Sequence, residues 1–591
     1  QNKMDSKHVT ESTSGQEDIQ KTWWKEAIIY QIYPRSFQDS DGDGIGDLNG
    51  ITSRLDYIQS LGVDIIWLNP IFLSPNDDNG YDISDYREIM REFGTMEDFD
   101  RLLKEIHKRE MRLVLDLVVN HTSDEHPWFE EARKSRHNPY YNYYHWWPAE
   151  KGEPPLRLSY FDEEGNAWMY NKPTDSYYLH YFSRKQPDLN WENPEIRQEI
   201  FDMMRFWFDK GIDGFRMDSI SLIAKDPSFP LIDSKKYPDI FSFYAKEPRL
   251  HLYLHEMNRQ VLSKYDCMSV GEGSAVMVDD VAKFVDPARE ELNMLYHFDA
   301  ARIRNTTLPD NPESGIDYSL IALKKMFTEW DKAIDKGWPS IYLGNHDQPR
   351  MVSRFGSDKD EFRALSAKML ITFLLTMRGT PYWFAGDEIG MRNIRFDRIE
   401  DYNDIDTINR YKKAKAEGKD PQAVLDEQKE TGRDNARTPF QWDRSPEAGF
   451  TAGTPWLKVN PDYTWINVAD EEKDPTSILN YFKKVVSFRK ENPSLIYGSY
   501  HLLDAENPQC YIFLRKTGAD TYLIMLNFSP KAAISTPGID MSNAHVLLDN
   551  YGDRSHMAPQ KDITLRPFEA IVFQLNHPVY ESFIDSLDLL E

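Results

Sequence analysis

An arginine and an aspartate stand two residues apart in the stretch 211–220, GIDGFRMDSI. If this stretch is a strand, its side chains alternate between two faces, so that Arg216 and Asp218 share one face and Phe215 and Met217 the other. A buried guanidinium and a buried carboxylate cost free energy unless they bind each other or a ligand. Most such pairs are structural ion pairs, so a catalytic role requires further partners in the chain.

Polar residues with suitable chemistry follow several other apolar segments. They are Asp116, His121, Glu272, His346 and Asp347. Cleavage of a glycosidic bond needs one ionised carboxylate as nucleophile and one protonated carboxyl as acid, and imidazoles can donate hydrogen bonds to sugar hydroxyls. One such residue alone is usually structural, but this many at one edge of a sheet would favour a sugar-cleaving site.

The pattern of apolar residues from Trp23 onward predicts alternating strands and helices, which must position these residues. Eight strands are predicted, at 27–33, 65–68, 113–119, 214–218, 267–272, 294–298, 341–344 and 382–385. Eight βα units predict a (β/α)8 TIM barrel, an α/β fold whose functional residues lie at the carboxyl ends of the strands. Helix signals agree: Thr95 to Asp98 resembles a capping box, Pro194 suits a first turn, and Gly211 suits a helix end.

Two stretches interrupt this alternation of strands and helices. Residues 120–191 are rich in aromatic residues and predict a subdomain inserted after the third strand, whereas short alternating runs predict an antiparallel β-sandwich domain over 500–577. The barrel then comprises 23–119 and 192–499, between a polar N-terminal extension (1–22) and a tail (578–591). The charged segment 410–433 predicts one surface helix.

The stretch 39–47, DSDGDGIGD, has carboxylates at its positions 1, 3, 5 and 9. This spacing wraps oxygen ligands around a hard cation, with the main-chain carbonyl of Ile45 as a further ligand. It is not an EF-hand, because position 12 is Gly50 where a glutamate is needed. We predict a calcium site, the alternative being an Asp/Gly turn without metal.

Aromatic side chains of the insertion could stack on the C–H faces of sugar rings. Phe161 and Phe182 are predicted to wall the pocket. Trp168, Tyr177 and Tyr178 are predicted to lie in the core of the subdomain.

Composition excludes several classes of function. Lys and Arg number 70 against 97 Asp and Glu, a net charge of −27, and no long basic run is present, so neither nucleic acid nor an anionic membrane is an expected partner. No apolar stretch reaches the roughly 18 residues of a membrane span, and the two cysteines support neither a disulfide framework nor a zinc site. The polar start at Gln1 suggests a processed chain, hence a periplasmic or secreted location with a cytoplasmic alternative. We expect a monomer.

With these residues laid out, nearly the whole chain resembles the α-amylase family of glycoside hydrolases. The motifs are AIIYQIYPRSF (27–37), SPNDDNGYD (74–82), DLVVNH (116–121), GFRMD (214–218), VGE (270–272) and GNHD (344–347). Three further stretches look like the oligo-1,6-glucosidase branch: QPDLN (186–190), EMN (256–258) and RDNARTP (433–439).

The resemblance implies a retaining, exo-acting α-glucosidase that hydrolyses terminal non-reducing α-glucosyl residues of short oligosaccharides, with α-1,6 linkages. It implies that Asp218 is the nucleophile, Glu272 the general acid and base, and Asp347 the residue that holds sugar hydroxyls. The other implied roles are orientation of Asp218 (Arg216), binding of hydroxyls (His121, His346), stacking (Tyr81), closure of the non-reducing end (Asp78, Arg437), aglycone contacts (Phe161, Phe182, Gln186) and structural calcium (Asp39, Asp41, Asp43, Ile45, Asp47).

Two departures from the family pattern leave alternatives open. Ser219 follows the nucleophile, where α-1,6-acting relatives usually carry Val and α-1,4-acting relatives Ala or Thr, so the linkage is open. The stretch 298–305, FDAARIRN, partly resembles the RLDRD loop of sucrose isomerases, which makes sucrose isomerisation or other transglucosylation an alternative. A non-catalytic binding subunit is a remote alternative, because the triad is complete.

Overall fold

The computed structural model of the protein describes residues 21–161, 165–518, 520–554 and 560–575. Residues 1–20 of the predicted extension and the predicted tail lie outside this part. Its main feature is a sheet of eight strands that runs around a nearly closed barrel, with seven parallel pairings. The barrel strands are Ile29–Ile32, Ile65–Leu68, Arg112–Val118, Gly214–Asp218, Met268–Glu272, Met294–Tyr296, Ser340–Ile341 and Thr380–Phe384. The eight predicted strands and the TIM-barrel fold are confirmed.

Strand side chains alternate between the barrel interior and the surrounding helices. Ile65 and Trp67 pack in the interior cluster, whereas Ile66 and Leu68 pack in the large core between strands and helices. In the fourth strand Phe215 and Met217 face that outer core. Arg216, fully buried, therefore occupies the inner face, as the alternation predicts.

The α-helices lie before, between and after the barrel strands. They are Trp23–Glu26, Leu48–Ser53, Leu55–Ser60, Met96–Lys108, Pro127–Ala132, Pro194–Lys210, Arg249–Gln260, Ala282–Val285, Asp299–Thr306, Leu320–Ala333, Met351–Phe355, Arg363–Thr376, Ile405–Ala416, Pro421–Thr431, Asp434–Arg437, Val468–Lys473, Ile478–Glu491 and Ser494–Tyr497. Thr95 and Asp98 form the predicted capping box. Pro194 opens its helix and Gly211 ends it at a φ of 116°, a left-handed conformation that glycine adopts without steric cost.

The barrel is not joined by backbone pairing between its sixth and seventh strands, which are the two ends of the sheet order. Side chains bridge these strands instead. Ser340 Oγ donates to Leu295 O (3.1 Å) and the Tyr342 hydroxyl donates to His297 O (2.6 Å). We call this junction the barrel seam.

The excursion between the third and fourth barrel strands carries a small antiparallel sheet. Its strands Trp146–Pro148, Ser176–Leu179 and Trp168–Asn171 pair in that order. Trp168 stacks edge-on against Phe229 at 4.9 Å. A separate two-stranded sheet, Phe72–Leu73 with Asp85–Ile89, follows the second barrel strand. Both lie on the chain segments that reach over the carboxyl ends of the barrel strands.

The C-terminal region is an antiparallel β structure with two layers. Its larger sheet contains Ser499–Leu503, Cys510–Thr517, Asp520–Asn527, Ala544–Asp549 and Ala570–Leu575, and the smaller one pairs Ala533–Ser535 with Ile563–Leu565. Alternate residues of the larger sheet face the smaller sheet, for example Ile512 and Leu514. Tyr511 and Phe513 pack in the core shared with the barrel helices.

Two fully buried arginines satisfy carbonyl groups at the junction with this β region, and one of them, Arg515 on strand Cys510–Thr517, joins the region to the barrel. Arg515 donates to the carbonyl oxygens of Thr376 (2.6 Å), Leu495 (2.6 Å) and Gly498 (2.8 Å). Arg489 donates to other carbonyls of the same helix end, including Leu375 O (2.9 Å). Burial lowers the pKa of both guanidinium groups. These arginines satisfy carbonyl groups that end helices and would otherwise be buried without partners.

Among the described residues, no helix combines the length and the apolar character that a membrane crossing needs.

Candidate active site

A pocket of about 320 Å³ opens at the carboxyl ends of the barrel strands. It is lined by Asp78, Tyr81, His121, Tyr160, Phe161, Phe182, Asp218, Ser219, Glu272, Ser274, Ala275, Phe298, His346, Asp347, Asp406, Arg410 and Arg433. Asp218 and Glu272 end their strands, and Asp347 follows the seventh strand. The barrel therefore brings the three predicted catalytic residues into one pocket.

Arg216 lies beneath the pocket and binds three carboxyl groups. Its Nη1 donates to Asp116 Oδ1 (2.9 Å) and Asp218 Oδ1 (3.0 Å), and its Nη2 donates to Glu272 Oε2. Burial raises the pKa of Asp218, as does the Glu272 charge, while the guanidinium opposes the shift. Burial also raises the pKa of Glu272, again opposed by Arg216. Because one cation cannot balance three carboxylates, the cluster favours keeping a proton, as an acid and nucleophile pair requires.

His346 has a defined tautomer through its hydrogen bonds. His346 Nδ1 lies 2.8 Å from Gln31 Nε2, an amide nitrogen that can only donate. Nδ1 therefore accepts, and the imidazole proton resides on His346 Nε2. That Nε2 lies 2.8 Å from the Tyr81 hydroxyl and 3.2 Å from Asp347 Oδ2. Burial lowers the pKa of His346 well below its usual value. The Tyr81 hydroxyl donates to Asp116 Oδ2 (2.7 Å), so it accepts from the His346 N–H, and this neutral imidazole lines the pocket with its N–H bound to Tyr81.

Asp347 is held as a carboxylate. Burial opposes ionisation, but the guanidinium charges of Arg433 and Arg437 lower its pKa. Arg433 Nη1 lies 3.3 Å and Arg437 Nη2 lies 3.2 Å from Asp347 Oδ1. An ionised carboxylate accepts two hydroxyl hydrogen bonds, which suits a residue that grips a sugar.

Arg433 is the main site residue that the motif reading missed. It bridges Asp347, Asp78 (3.3 Å) and Asp404 (2.5 Å) and lines the pocket. Arg437, predicted to close the pocket with Asp78, is not among the lining residues and donates from Nε to His346 O (2.9 Å). A signal was available, because Arg433 stands one helical turn before Arg437 and so projects to the same side.

Gln186 lies behind the pocket instead of on the aglycone side where it was predicted. The side chain is fully buried, and its Nε2 lies 3.3 Å from Asp78 Oδ2 and 3.2 Å from His121 Nε2. His121 itself lines the pocket, and burial lowers its pKa to about 4. Gln186 therefore positions the predicted sugar-binding residues without reaching the pocket.

Aromatic rings form part of the pocket wall. Phe161 and Phe182 line the pocket with ring centroids 5.6 Å apart, together with Tyr160 and Phe298, which were not predicted. The Arg433 guanidinium lies 5.4 Å from the Phe161 ring centroid. The predicted surface helix 410–433 is two helices, Ile405–Ala416 and Pro421–Thr431, because Gly418 (φ 72°) and Pro421 interrupt it. The first of them contributes Asp406 and Arg410 to the rim.

The two stretches that depart from the family pattern differ in their position relative to the pocket. Ser219 lines the pocket beside the nucleophile, in a left-handed conformation with φ 44°. In the stretch 298–305 only Phe298 lines the pocket. Arg304 turns away to Asp317 (2.8 Å), and Asn305 accepts a hydrogen bond from Arg354. The residues that replace part of the isomerase-like loop therefore do not contact a ligand in the pocket directly.

The acidic loop 39–47 places three carboxylates together. Ligand oxygens of Asp39, Asp41 and Asp43 lie within 4.8 Å of one another. Burial and the neighbouring carboxylate of Asp41 raise the pKa of Asp43 to about 6, although its bond to Ile45 N opposes this. Asp47 instead caps a helix, since its Oδ1 accepts from Gly50 N (2.7 Å). The donor set of the first three residues fits a hard cation.

A barrel with paired carboxyl groups at its carboxyl end and aromatic walls defines a glycoside hydrolase. The profile of the family described as "Alpha amylase, catalytic domain" matches residues 31–498, and the chain belongs to that family.

Comparison with individual proteins agrees. The oligo-1,6-glucosidase of Parageobacillus thermoglucosidasius is 51% identical over 571 residues, covering 95% of this chain and all of that protein, and the one of Bacillus cereus is 49% identical over 94% and all of that protein. Among solved structures, the trehalulose synthase of Pseudomonas mesoacidophila MX-45 has a TM-score of 0.89 at 43% identity, covering 94% of this chain and all of that chain. The fold and enzyme class predicted from sequence are confirmed.

Proposed function

We propose that the protein is a retaining, exo-acting α-glucosidase that releases terminal non-reducing glucose from short α-1,6-linked oligosaccharides. The observation that carries this proposal is the joint attachment of Asp218 and Glu272 to neighbouring nitrogens of Arg216. One guanidinium can bridge two carboxyl groups only if they are close. Retaining enzymes need a separation of about 5–5.5 Å, whereas inverting enzymes leave room for a water between the groups.

The first half of the reaction transfers glucose to the enzyme. Asp218 attacks the anomeric carbon and forms a covalent glucosyl ester, while Glu272 gives its proton to the glycosidic oxygen and the sugar aglycone leaves. In the second half, Glu272 removes a proton from water, the water oxygen attacks the anomeric carbon, and the bond to Asp218 breaks. Glucose leaves with its original anomeric configuration, and Glu272 is protonated again.

The remaining pocket residues bind the glucose unit. Asp347 would accept hydrogen bonds from two hydroxyls, and His121 and His346 would bind hydroxyls of the same ring in exchange for their bonds to Tyr81. The bridge from Arg433 to Asp78 and Asp347 would close one end of the pocket. A closed end admits a chain terminus only, which supports exo action. The aromatic residues Phe161 and Phe182 line the pocket, where a leaving sugar would stack.

Isomerisation of sucrose is the second candidate, favoured by the likeness to solved trehalulose and isomaltulose synthases at 43% and 41% identity. The same catalytic residues would serve both reactions. Hydrolysis is preferred because relatives named oligo-1,6-glucosidase are 51% and 49% identical. The turn of Arg304 and Asn305 away from the pocket also removes polar groups that could retain a released fructose.

A substrate panel tests this proposal. Isomaltose, panose, maltose, sucrose and trehalulose are each incubated with the enzyme while anomeric protons are followed by NMR. We expect isomaltose and panose to be cleaved fastest, with α-glucose formed first. β-Glucose as the first product would contradict retention, and a new disaccharide from sucrose would establish the second candidate instead.

We also propose that Asp39, Asp41 and Asp43 hold a structural calcium ion, with Ile45 supplying a carbonyl. A chelator should then lower the melting temperature by several degrees, because an ion that binds only the folded state stabilises it by about 2.7 kcal/mol at a hundredfold excess over Kd. Added Ca²⁺ should restore the original value. The measurement is thermal unfolding of the wild type, of Asp43→Asn and of Glu153→Gln, an exposed control. Asp43→Asn should not respond to calcium, and an equal response in all three proteins would refute the site.

A further inference from the structure

Two serine hydroxyls meet one oxygen of Glu272. Ser219 Oγ lies 3.3 Å and Ser274 Oγ lies 3.1 Å from Glu272 Oε1. The other oxygen, Oε2, is bound by Arg216 Nη2 and by the Tyr296 hydroxyl at 3.3 Å. The two oxygens of this carboxyl group therefore have different surroundings.

This difference determines where a proton can reside. A guanidinium can only donate hydrogen bonds, so Oε2 must accept from Arg216 and is a poor place for the proton. Oε1 is the oxygen that carries it when Glu272 acts as an acid. A serine hydroxyl can accept from a protonated Oε1 and can rotate to donate to an ionised one. The pair can thus serve both protonation states that the double displacement requires.

The backbone is strained at Ser219 and directly after Ser274. Ser219 (φ 44°) and Ala275 (φ 62°), which follows Ser274, are non-glycine residues in the left-handed region. Such residues persist only where the surroundings impose the conformation, and they cluster at functional sites. Ser221 joins the two loops, since its hydroxyl donates to Ser274 O at 2.6 Å. The loops after the fourth and fifth strands therefore hold each other around Glu272.

We propose that Ser219 and Ser274 are positioning residues for the general acid and base, which direct Glu272 Oε1 toward the glycosidic oxygen and stabilise the ionised carboxylate in the second half of the reaction. This role rests on the proposed function. Valine or alanine at position 219 could not play this role, because neither side chain has a hydrogen-bond donor.

Other groups that face Glu272 must be kept unchanged in a test of this role. They are Asp116, Arg216 and Asp218, Tyr296, Asp347 and the hydroxyls of Tyr160 and Tyr342. Ser274 lowers the pKa of Glu272 against the effect of burial. Loss of a donor to the carboxylate therefore raises this pKa, and the basic limb of kcat/KM, where the acid loses its proton, moves to higher pH.

The test compares pH profiles of kcat/KM for Ser274→Ala, Ser219→Ala and the double variant. We expect the basic limb to rise by about one pH unit for each hydroxyl removed, by the usual strength of hydrogen bonds to charged groups. Ser274→Thr, which keeps a hydroxyl, should return the limb to its wild-type position. Ser263→Ala is the control, because its exposed hydroxyl donates to Arg259 O (3.2 Å), outside the loops that hold Glu272, and the basic limb of its profile should stay in place.

A second measurement separates failure of this role from failure of the proposed function. The titration of Glu272 is followed by ¹³C NMR of glutamate-labelled protein, assigned by its loss in Glu272→Gln. A rise of the Glu272 midpoint in Ser274→Ala supports the role whatever the substrate. An unchanged midpoint, or an equal shift in Ser263→Ala, overturns it even if the enzyme cleaves isomaltose.

Discussion

Replacement of Asp218 by asparagine is expected to reduce the hydrolysis of α-glucosides by about 10³-fold or more while leaving the fold intact. Asparagine has the shape of aspartate and its oxygen can still accept from Arg216 Nη1, which lies 3.0 Å from Asp218 Oδ1 in the native protein. It lacks the negative charge that attacks the anomeric carbon. The measurement is steady-state hydrolysis of isomaltose, with circular dichroism and thermal unfolding as controls for the fold. An unchanged rate would remove Asp218 from the mechanism.

Azide distinguishes the role of Asp218 from that of Glu272. In Asp218→Gly, azide can enter the space left by the nucleophile, and the product should be β-glucosyl azide. In Glu272→Ala, the ester with Asp218 still forms from a substrate with a good leaving group, and azide attacks it from the other side to give α-glucosyl azide. Products with the opposite configurations would show that the two roles are assigned the wrong way round.

Replacement of Arg515 by methionine is expected to destabilise the protein by about 3 kcal/mol or more, because each buried acceptor left without a donor costs about 1–3 kcal/mol. Arg515 is fully buried and donates to the carbonyls of Thr376, Leu495 and Gly498. Methionine fills much of the space but leaves these acceptors without donors. The melting temperature at a fixed scan rate and the yield of folded protein measure the effect.

Arg398→Met serves as the control, because the Arg398 side chain is 71% exposed and its ion pair with Glu400 is long, at 3.5 Å. Its change in stability should stay within about 0.5 kcal/mol. If Arg515→Met were as stable as Arg398→Met, the buried arginine would not hold the β region to the barrel.

The fold was largely predictable because its signals are local. A strand with alternating faces predicts that Arg216 points inward whatever the rest of the chain does, and Thr95 and Gly211 mark helix ends through their own backbone chemistry. The convergence of Asp218, Glu272 and Asp347 follows from the barrel alone, since every strand ends at the same rim.

The parts of the site that were not predicted depend on contacts between distant segments. Whether Arg433 or Arg437 reaches the pocket is decided by where a short helix docks, and Gln186 lies behind Asp78 because a loop of the insertion folds under it. The conformation of Ser219 and its contact with Glu272 require the loops after two different strands to be in place. No periodicity in the sequence encodes such contacts.

The barrel should open more easily at the barrel seam than between its other strands. Ser340 and Tyr342 hold the sixth and seventh strands together through their side chains alone, without the backbone ladder that joins the other neighbours. Phe298 follows one of these strands and Asp347 follows the other. Local opening at this junction would widen the pocket between Phe298 and Asp347. Amide protons of residues 294–298 and 340–344 should therefore exchange with solvent sooner than those of the first four strands. If the strands that carry Asp218 and Glu272 stay fixed while the barrel seam opens, glucose can leave without displacing the two catalytic carboxyl groups.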